Sequence, residues 1–564
     1  MTHPFAFDRR SFVIGSSLVM AGCTTCRFPS PNGGSYEIAD AHAHFFNLAD
    51  LPVRDFMRDV VIPQQFPDLP DIVLALVNIA AGVTQAFAPS AREEIGHLER
   101  SLFEDDARTS TDTFGNEIKD LQEQAFAREG MVEKSLGDPE TSLAASHLSL
   151  ARRLGALKQS ATGDRNKRGG ATTNLEIDAS VYSRIASGRD AQAAISPDKL
   201  NSQGALANIN LRATLRWIYQ MIQPRCEHVE TYIKTIFSAE AKVGHAINLL
   251  VDYDRWLQDD PKKDLDHADQ IEFWTRYEKV ARRKGSPIQL HTFAGYDPLK
   301  HAGQRLAGET PSFETMLGWV DADEAGASHR IAGFKLYPPM GFNPSSNRDF
   351  SLPCDCRGAH QVKTWWEKAG WDVDRIGEEL DISLDCFFRA CAKRDIPMLA
   401  HAANSLASMP GAGAKASPKY WLERARTVRD WGGNPLRVCL GHFHTSPENA
   451  DYLAQIIALN RPTSSGRPGA RIYVDMSYDQ DILDGHPTTI LDFYAGVCEA
   501  AGDDGRHILF GSDWIMLGRE PEAGNYLSQF RAAAADHCFW HDKVDRLFRR
   551  NLLEFLKLAP PETT

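Results

Sequence analysis

The chain has no surplus of positive charge. Its 62 Lys and Arg stand against 75 Asp and Glu, giving a net charge of -13 and an isoelectric point near 5.8. Phosphate backbones are bound through clustered basic residues, so this balance argues against nucleic acid as a partner and leaves a small-molecule substrate. The nearest basic run, Arg165-Asn166-Lys167-Arg168, lies in a Gly- and Thr-rich stretch and reads as a solvated loop. The apolar run at 12–20 falls far short of the roughly 20 residues that a spanning helix needs. Ten cysteines are present, yet no second pair stands at zinc-ribbon spacing from Cys354-Asp355-Cys356. Most of the others sit singly in apolar runs, as Cys439 does, and read as structural or incidental. The rest of the composition is ordinary for a globular protein, with 43% hydrophobic residues and a mean hydropathy of -0.36. At 564 residues the chain exceeds one usual core, which predicts two structural units or one barrel with a large insertion.

Residues 1–23 read as an export leader. Asp8-Arg9-Arg10-Ser11-Phe12 resembles the twin-arginine signal, a short apolar run follows, and Met20-Ala21-Gly22-Cys23 resembles a lipobox whose cysteine carries lipid. The expectation is an exported, periplasmic lipoprotein that meets the membrane only through that anchor.

Past the leader, 36–46 reads as a first strand. From 47 to 240 the pattern is mostly helical and polar, with an apolar helix at 72–88, an exposed helix at 91–106, a loop at 163–173 and helical spacing at 212–221 and 228–238. Strand-to-helix alternation then resumes. Strands are expected at 246–251, 287–294, 331–337, 397–402, 436–442, 471–477 and 507–513. Helices fall between them at 265–283, 313–319, 374–393, 418–431, 450–459 and 489–501, and two more close the chain at 521–534 and 543–558. Eight strands, each followed by helix, predict an α/β chain with a (β/α)8 TIM barrel over 36–46 and 241–560. The 47–240 stretch is then a helical cap inserted after strand 1, on the face where such barrels carry their sites.

The polar residues at the strand ends give the chemistry. Asp40-Ala41-His42-Ala43-His44 ends strand 1, and the two-residue period of a strand places His42 and His44 on one side. Two imidazoles so spaced can hold one metal ion. With 19 His in the chain, about 0.6 such pairs arise by chance, so this pair alone decides little. Read in order, the other ends supply His291 on strand 3, Lys335 on strand 4, His401 on strand 5, His442 and His444 on strand 6 and Asp513 on strand 8. Gathering so many ionisable groups in a barrel mouth is costly without pairing or a cation, and a metal supplies the missing positive charge.

The pieces D-A-H-A-H-F at 40–45, A-G-F-K-L-Y-P-P at 332–339, I-P-M-L-A-H-A at 396–402, L-G-H at 440–442 and I-L-F-G-S-D-W at 508–514 resemble the amidohydrolase superfamily. The likeness is to the amidohydrolase-related group, which also contains aromatic-acid decarboxylases; it covers 36–46 and about 243–520 and not the cap. It implies one or two divalent metal ions, zinc first among them, held by His42, His44, His401 and Asp513. It further implies that Asp513 relays a proton, and that His442 is either a second-metal ligand or a polarising, proton-transferring group. Lys335 stays open between a carbamylated metal bridge, a contact to a substrate carboxylate and an ion pair with an acid of the barrel wall. The superfamily commonly has a small residue where His444 stands, so which of His442 and His444 enters the site also stays open. His291, Tyr337, Arg348, His444 and Trp514 are candidates for lining a substrate pocket.

Three functions compete. The leading expectation is a metal-dependent hydrolase that cleaves an amide, ester or lactone with activated water. The alternative is a metal-dependent, non-oxidative decarboxylase of an aromatic or unsaturated acid, which needs much the same residues. The third is a lipid-anchored binding protein without turnover, whose mark is a missing ligand or a missing Asp513; neither is missing.

Overall fold

A computed structural model of the protein describes residues 38–61, 88–103, 220–236, 243–257, 267–350, 357–404 and 408–559, a few single positions within these spans apart. Eight strands form: β1 (Ile38–Ala43), β2 (Val243–Leu249), β3 (Gln289–Gly295), β4 (Gly333–Leu336), β5 (Met398–His401), β6 (Arg437–Gly441), β7 (Arg471–Asp475) and β8 (Ile508–Leu509). Each pairs in parallel with the next in chain order. Ala41 N donates to Phe510 O at 2.9 Å, Asp513 N donates to His42 O at 2.7 Å, and Ala43 bridges Trp514. The last strand thereby returns to the first, and the α/β barrel expected from the alternation is present.

Local chemistry explains the joints. Helices Pro298–Leu306, Pro418–Asp430 and Pro447–Asn460 start behind Asp297, Ser417 and Ser446, whose side chains accept a first-turn N–H, with proline where no helical donor is needed. Left-handed residues end two others and turn the chain into the next strand: Asp395 (φ 51°) before β5 and Gly502 (φ 63°) before β8. Ala39, Ile247, Leu249, Phe293, Leu399, Cys439, Tyr473 and Leu509 form the central core with Leu552, Phe555 and Leu556 of the chain end. Arg437, the first residue of β6, donates to the carbonyls of Glu554 and Phe555, so this segment plugs the end of the barrel where strands begin. The other end, where strands finish, stays available for a site. The expected closing helix at 543–558 is shorter, a π turn Arg546–Arg550 leading into Asn551–Phe555.

Between β1 and β2 the described residues include helices Ala91–Phe103 and Arg225–Ile236. The first was expected to be exposed, and it is so on one face only. Ala91, Glu94 and Leu98 share one face and are buried, and Arg92 makes two 2.7 Å hydrogen bonds to Asp269 on helix His267–Arg283. Glu94, a charged residue on the buried side, hides that face in the sequence. The leader, Cys354, Cys356, the loop at 163–173 and most of the 47–240 stretch lie outside the described residues. Cys226 is disulfide-bonded, with a partner outside the described residues, whereas Cys386, Cys391, Cys439, Cys498 and Cys538 are free. Among the described residues no helix is long and apolar enough to cross a membrane.

The packing carries an acid sensitivity. Burial pushes His228, His291 and His507 each down to about 3 from the ordinary 6.5. These imidazoles are neutral in the fold and take up a proton on unfolding. Their contribution is therefore present above pH 6.5 and lost as pH falls toward about 3. The metal-free protein is expected to lose thermal stability steadily over that window, as melting curves between pH 7 and pH 4 will record; a flat melting temperature would contradict it.

Candidate metal centre

Six of the strand-end residues meet at the mouth of the barrel. The rings of His42 and His44 lie 5.4 Å apart, and both Nε2 atoms face Asp513 Oδ1, at 3.7 and 3.6 Å. The register of β1 against β2 shifts between Asp40 and Ala43, the stretch that carries His42. His42 and His442 have ring centroids 4.4 Å apart, and His401 lies 4.7 Å from His442. Lys335 Nζ stands 3.2 Å from His42 Nε2. One ligand atom each from His42, His442 and Asp513 lies within 4.8 Å of the others, and all three residues are buried.

The backbone makes room for this convergence. A Cβ on Gly441 would meet His42 Cε1 at 2.7 Å, and one on Gly511 would meet His42 Cβ at 2.9 Å. His442 (φ 58°) and Asp513 (φ 53°) both sit in the left-handed region, which His and Asp tolerate better than most residues.

Hydrogen bonds fix which ring nitrogen faces the centre. His44 Nδ1 lies 2.9 Å from Leu249 O, and His442 Nδ1 lies 3.2 Å from Ser477 O. A carbonyl only accepts, so both Nδ1 atoms carry the proton and both Nε2 atoms keep their lone pairs. His42 Nδ1 lies 3.0 Å from Asp475 Oδ2, with the same result. His401 hydrogen-bonds the backbone of Ala403 and leaves Nε2 buried with no partner. Burial, together with neighbouring cationic groups, holds His42, His401 and His442 well below the ordinary imidazole range and pushes His44 down to about 3. Burial also pushes Lys335 down to about 8, against the pull of Asp475 and Asp513. Neutral imidazoles and a carboxylate, with an orphaned buried nitrogen among them, are a donor set that suits a divalent transition-metal ion. In this tautomer His442 turns a lone pair, and not a proton, toward the centre.

Asp40 supports the arrangement from behind. Its carboxylate accepts from His42 N at 2.9 Å, Ser512 N at 3.0 Å, Tyr232 Oη at 2.8 Å and Ser512 Oγ. Burial raises it to about 6 in spite of these donors. One side chain thus joins the β1 histidines, the turn before Asp513 and helix Arg225–Ile236.

The remaining candidates separate. His442 is buried in the cluster, while His444 is 45% exposed at the rim with its ring 6.1 Å from His442 and Nδ1 3.7 Å from Asp479. Tyr337 is at the mouth, its ring 4.8 Å from His401 and 5.5 Å from Tyr253. His291 is not brought to the site: it lies four residues before the end of β3, 3.1 Å from His245 Nδ1. Arg348 is exposed and its charge acts on Glu378. Trp514 is fully buried and edge-on to Tyr232 at 5.5 Å, next to the barrel closure. Residues the sequence reading passed over are Asp475 and Ser477; Asp475 ends β7, and the rule applied to the other strands would have found it.

No protein-family model matches the chain, and no curated protein matches its sequence. Among solved structures it is similar to a dihydroorotase from Campylobacter jejuni, at 13% identity and a TM-score of 0.32, over 60% of this chain and 82% of that one. A likeness of that degree decides nothing; the barrel rests on the strand order, and the centre on its own side chains.

Proposed function

We propose that the chain is a metal-dependent hydrolase of the amidohydrolase type that cleaves an amide, ester or lactone bond. The observation that carries this reading is the meeting of His42, His442 and Asp513 donor atoms within 4.8 Å of one another at the mouth of the barrel. His42, His44, His401, His442 and Asp513 are the residues that would hold the ion. A divalent ion held there would supply Lewis acidity, for making a water acidic and for polarising a carbonyl. Asp513, facing both β1 histidines, accepts the proton of the attacking water and passes it to the leaving group. Lys335, whose Nζ points into the same cluster, brings positive charge toward the developing oxyanion. The disulfide at Cys226 supports the expectation of export, because such bonds persist in oxidising compartments.

Two measurements test this. Elemental analysis of the purified protein should find one or two divalent transition-metal ions per chain. A panel of chromogenic esters, lactones and anilides should release acid without carbon dioxide. Protein that cannot be loaded with any such ion would remove the reading, and carbon dioxide evolved from an aromatic or unsaturated acid would replace hydrolysis with decarboxylation.

A further inference from the structure

Asp475, at the end of β7, is wholly buried beneath the cluster, and its two oxygens are fully used. Oδ2 lies 3.0 Å from His42 Nδ1 and 3.6 Å from Cys439 Sγ. Oδ1 accepts from His442 N at 3.0 Å, Ser477 N at 3.1 Å and Ser477 Oγ. Five donors on one carboxylate leave no lone pair for a metal ion. Ser477 is equally committed. Its single hydroxyl proton goes to Asp475, so toward His42 Nδ1 at 3.1 Å and His442 Nδ1 at 3.0 Å the oxygen can only accept.

We infer that Asp475 and Ser477 act as one positioning pair that sets the ring tautomer of two histidines on different strands, His42 on β1 and His442 after β6. Both are thereby made to present Nε2 to the ion. The inference rests on the metal-centre reading above, but its structural half can be read without any metal.

The two members have unequal tasks. In Asp475→Asn the backbone donors of His442 and Ser477 cannot change, so the amide oxygen must stay at the Oδ1 place. The new NH2 then faces His42 Nδ1. Ser477 Oγ, 3.1 Å from His42 Nδ1, still accepts there, so the proton is driven to Nε2, the nitrogen meant for the ion, only when Ser477→Ala is added and both acceptors are gone. His442 keeps its tautomer, because Ser477 O still accepts from it. In Ser477→Ala both histidines retain one acceptor, Asp475 Oδ2 and Ser477 O, and neither should switch.

The test uses the metal-free, full-length protein labelled with 15N-histidine, the His42 signals being assigned by their absence in His42→Gln. Two-bond nitrogen–proton spectra should show His42 and His442 protonated on Nδ1 in the wild type. The double variant Asp475→Asn, Ser477→Ala should move the His42 proton to Nε2 and leave His442 unchanged; Ser477→Ala alone should move neither. Cobalt(II) titration against a chromophoric chelator should show about a 10–100-fold weaker affinity in the double variant and a smaller loss in Ser477→Ala. His42 still protonated on Nδ1 in the double variant, with cobalt affinity unchanged, would overturn the inference. If the wild type takes up no cobalt at all, the metal-centre reading fails, and the tautomer switch alone then decides the positioning role. Should the double variant fail to fold, as judged by its circular dichroism, Asp475→Glu takes its place: a carboxylate should keep His42 protonated on Nδ1, and a switch there would count against the inference.

Discussion

Asp513→Asn is expected to lower turnover by about 10²–10⁴-fold while most of the divalent ion stays bound. The carboxylate faces the Nε2 atoms of His42 and His44 at 3.7 and 3.6 Å, whereas Asp475 meets His42 from the Nδ1 side with both its oxygens engaged. An amide of the same shape keeps an oxygen for the ion but cannot accept the proton of an attacking water. Asparagine is also the fitting replacement for the backbone. Asp513 sits at φ 53°, and Asn and Asp enter that region more readily than other side-chain-bearing residues. The turn after β8 should therefore persist, and with it the hydrogen bond from residue 513 N to His42 O. The measurement is a rate constant on any chromogenic substrate that the wild type turns over, paired with metal content of the same sample. Activity within tenfold of wild type would mean that the proton goes elsewhere. Loss of both metal and activity would make Asp513 chiefly a ligand.

How far the site could be read in advance depended on what kind of information each residue carries. His42, His44, Lys335, His401, His442 and Asp513 announce themselves because an ionisable group at the end of a buried parallel strand is costly unless something there needs it. The alternation of apolar runs likewise gave the barrel, since strands covered on both faces are apolar throughout. Depth along a strand was less legible. Alternation tells which side His291 faces but not that it stops four residues short of the end of β3. The place of Asp475 at the end of β7 is legible by the same rule, but its task is not, because that lies in its donors, three of which are a ring on β1 and the backbone N–H groups of His442 and Ser477. The choice between His442 and His444 needed the left-handed turn at His442, which sends one ring inward and leaves the next histidine at the rim. Trp514 stands beside the key aspartate, and adjacency in the chain says nothing about its packing against Tyr232.

The largest stability effect should come from Arg225, far from the metal centre in sequence yet tied to it. Its guanidinium is 1% exposed and joins three segments that lie between β1 and β2. Nε donates to Asp50 Oδ2 at 2.9 Å and Nη2 to Asp50 Oδ1, while Nη1 donates to Glu94 Oε1 at 2.8 Å and to Pro89 O at 3.2 Å. Its plane also lies over Phe273, 5.6 Å from the ring centroid. Arg225→Ala would leave two carboxylates buried without their cation, and breaking a buried pair from one side costs about 3–5 kcal/mol. Denaturant titration should register that loss, because Asp50 and Glu94 cannot reach water without opening the packing of helices Ala91–Phe103 and Arg225–Ile236. The second helix carries Tyr232, whose hydroxyl holds Asp40, so divalent-ion affinity should fall along with stability. Adding Asp50→Asn and Glu94→Gln to Arg225→Met removes the charges together and should recover much of the loss, since no ion is then left unpaired. A single Arg225→Ala variant that loses under about 1 kcal/mol would show that these carboxylates find protons or solvent at little cost, and that the segments are held together by apolar contact instead.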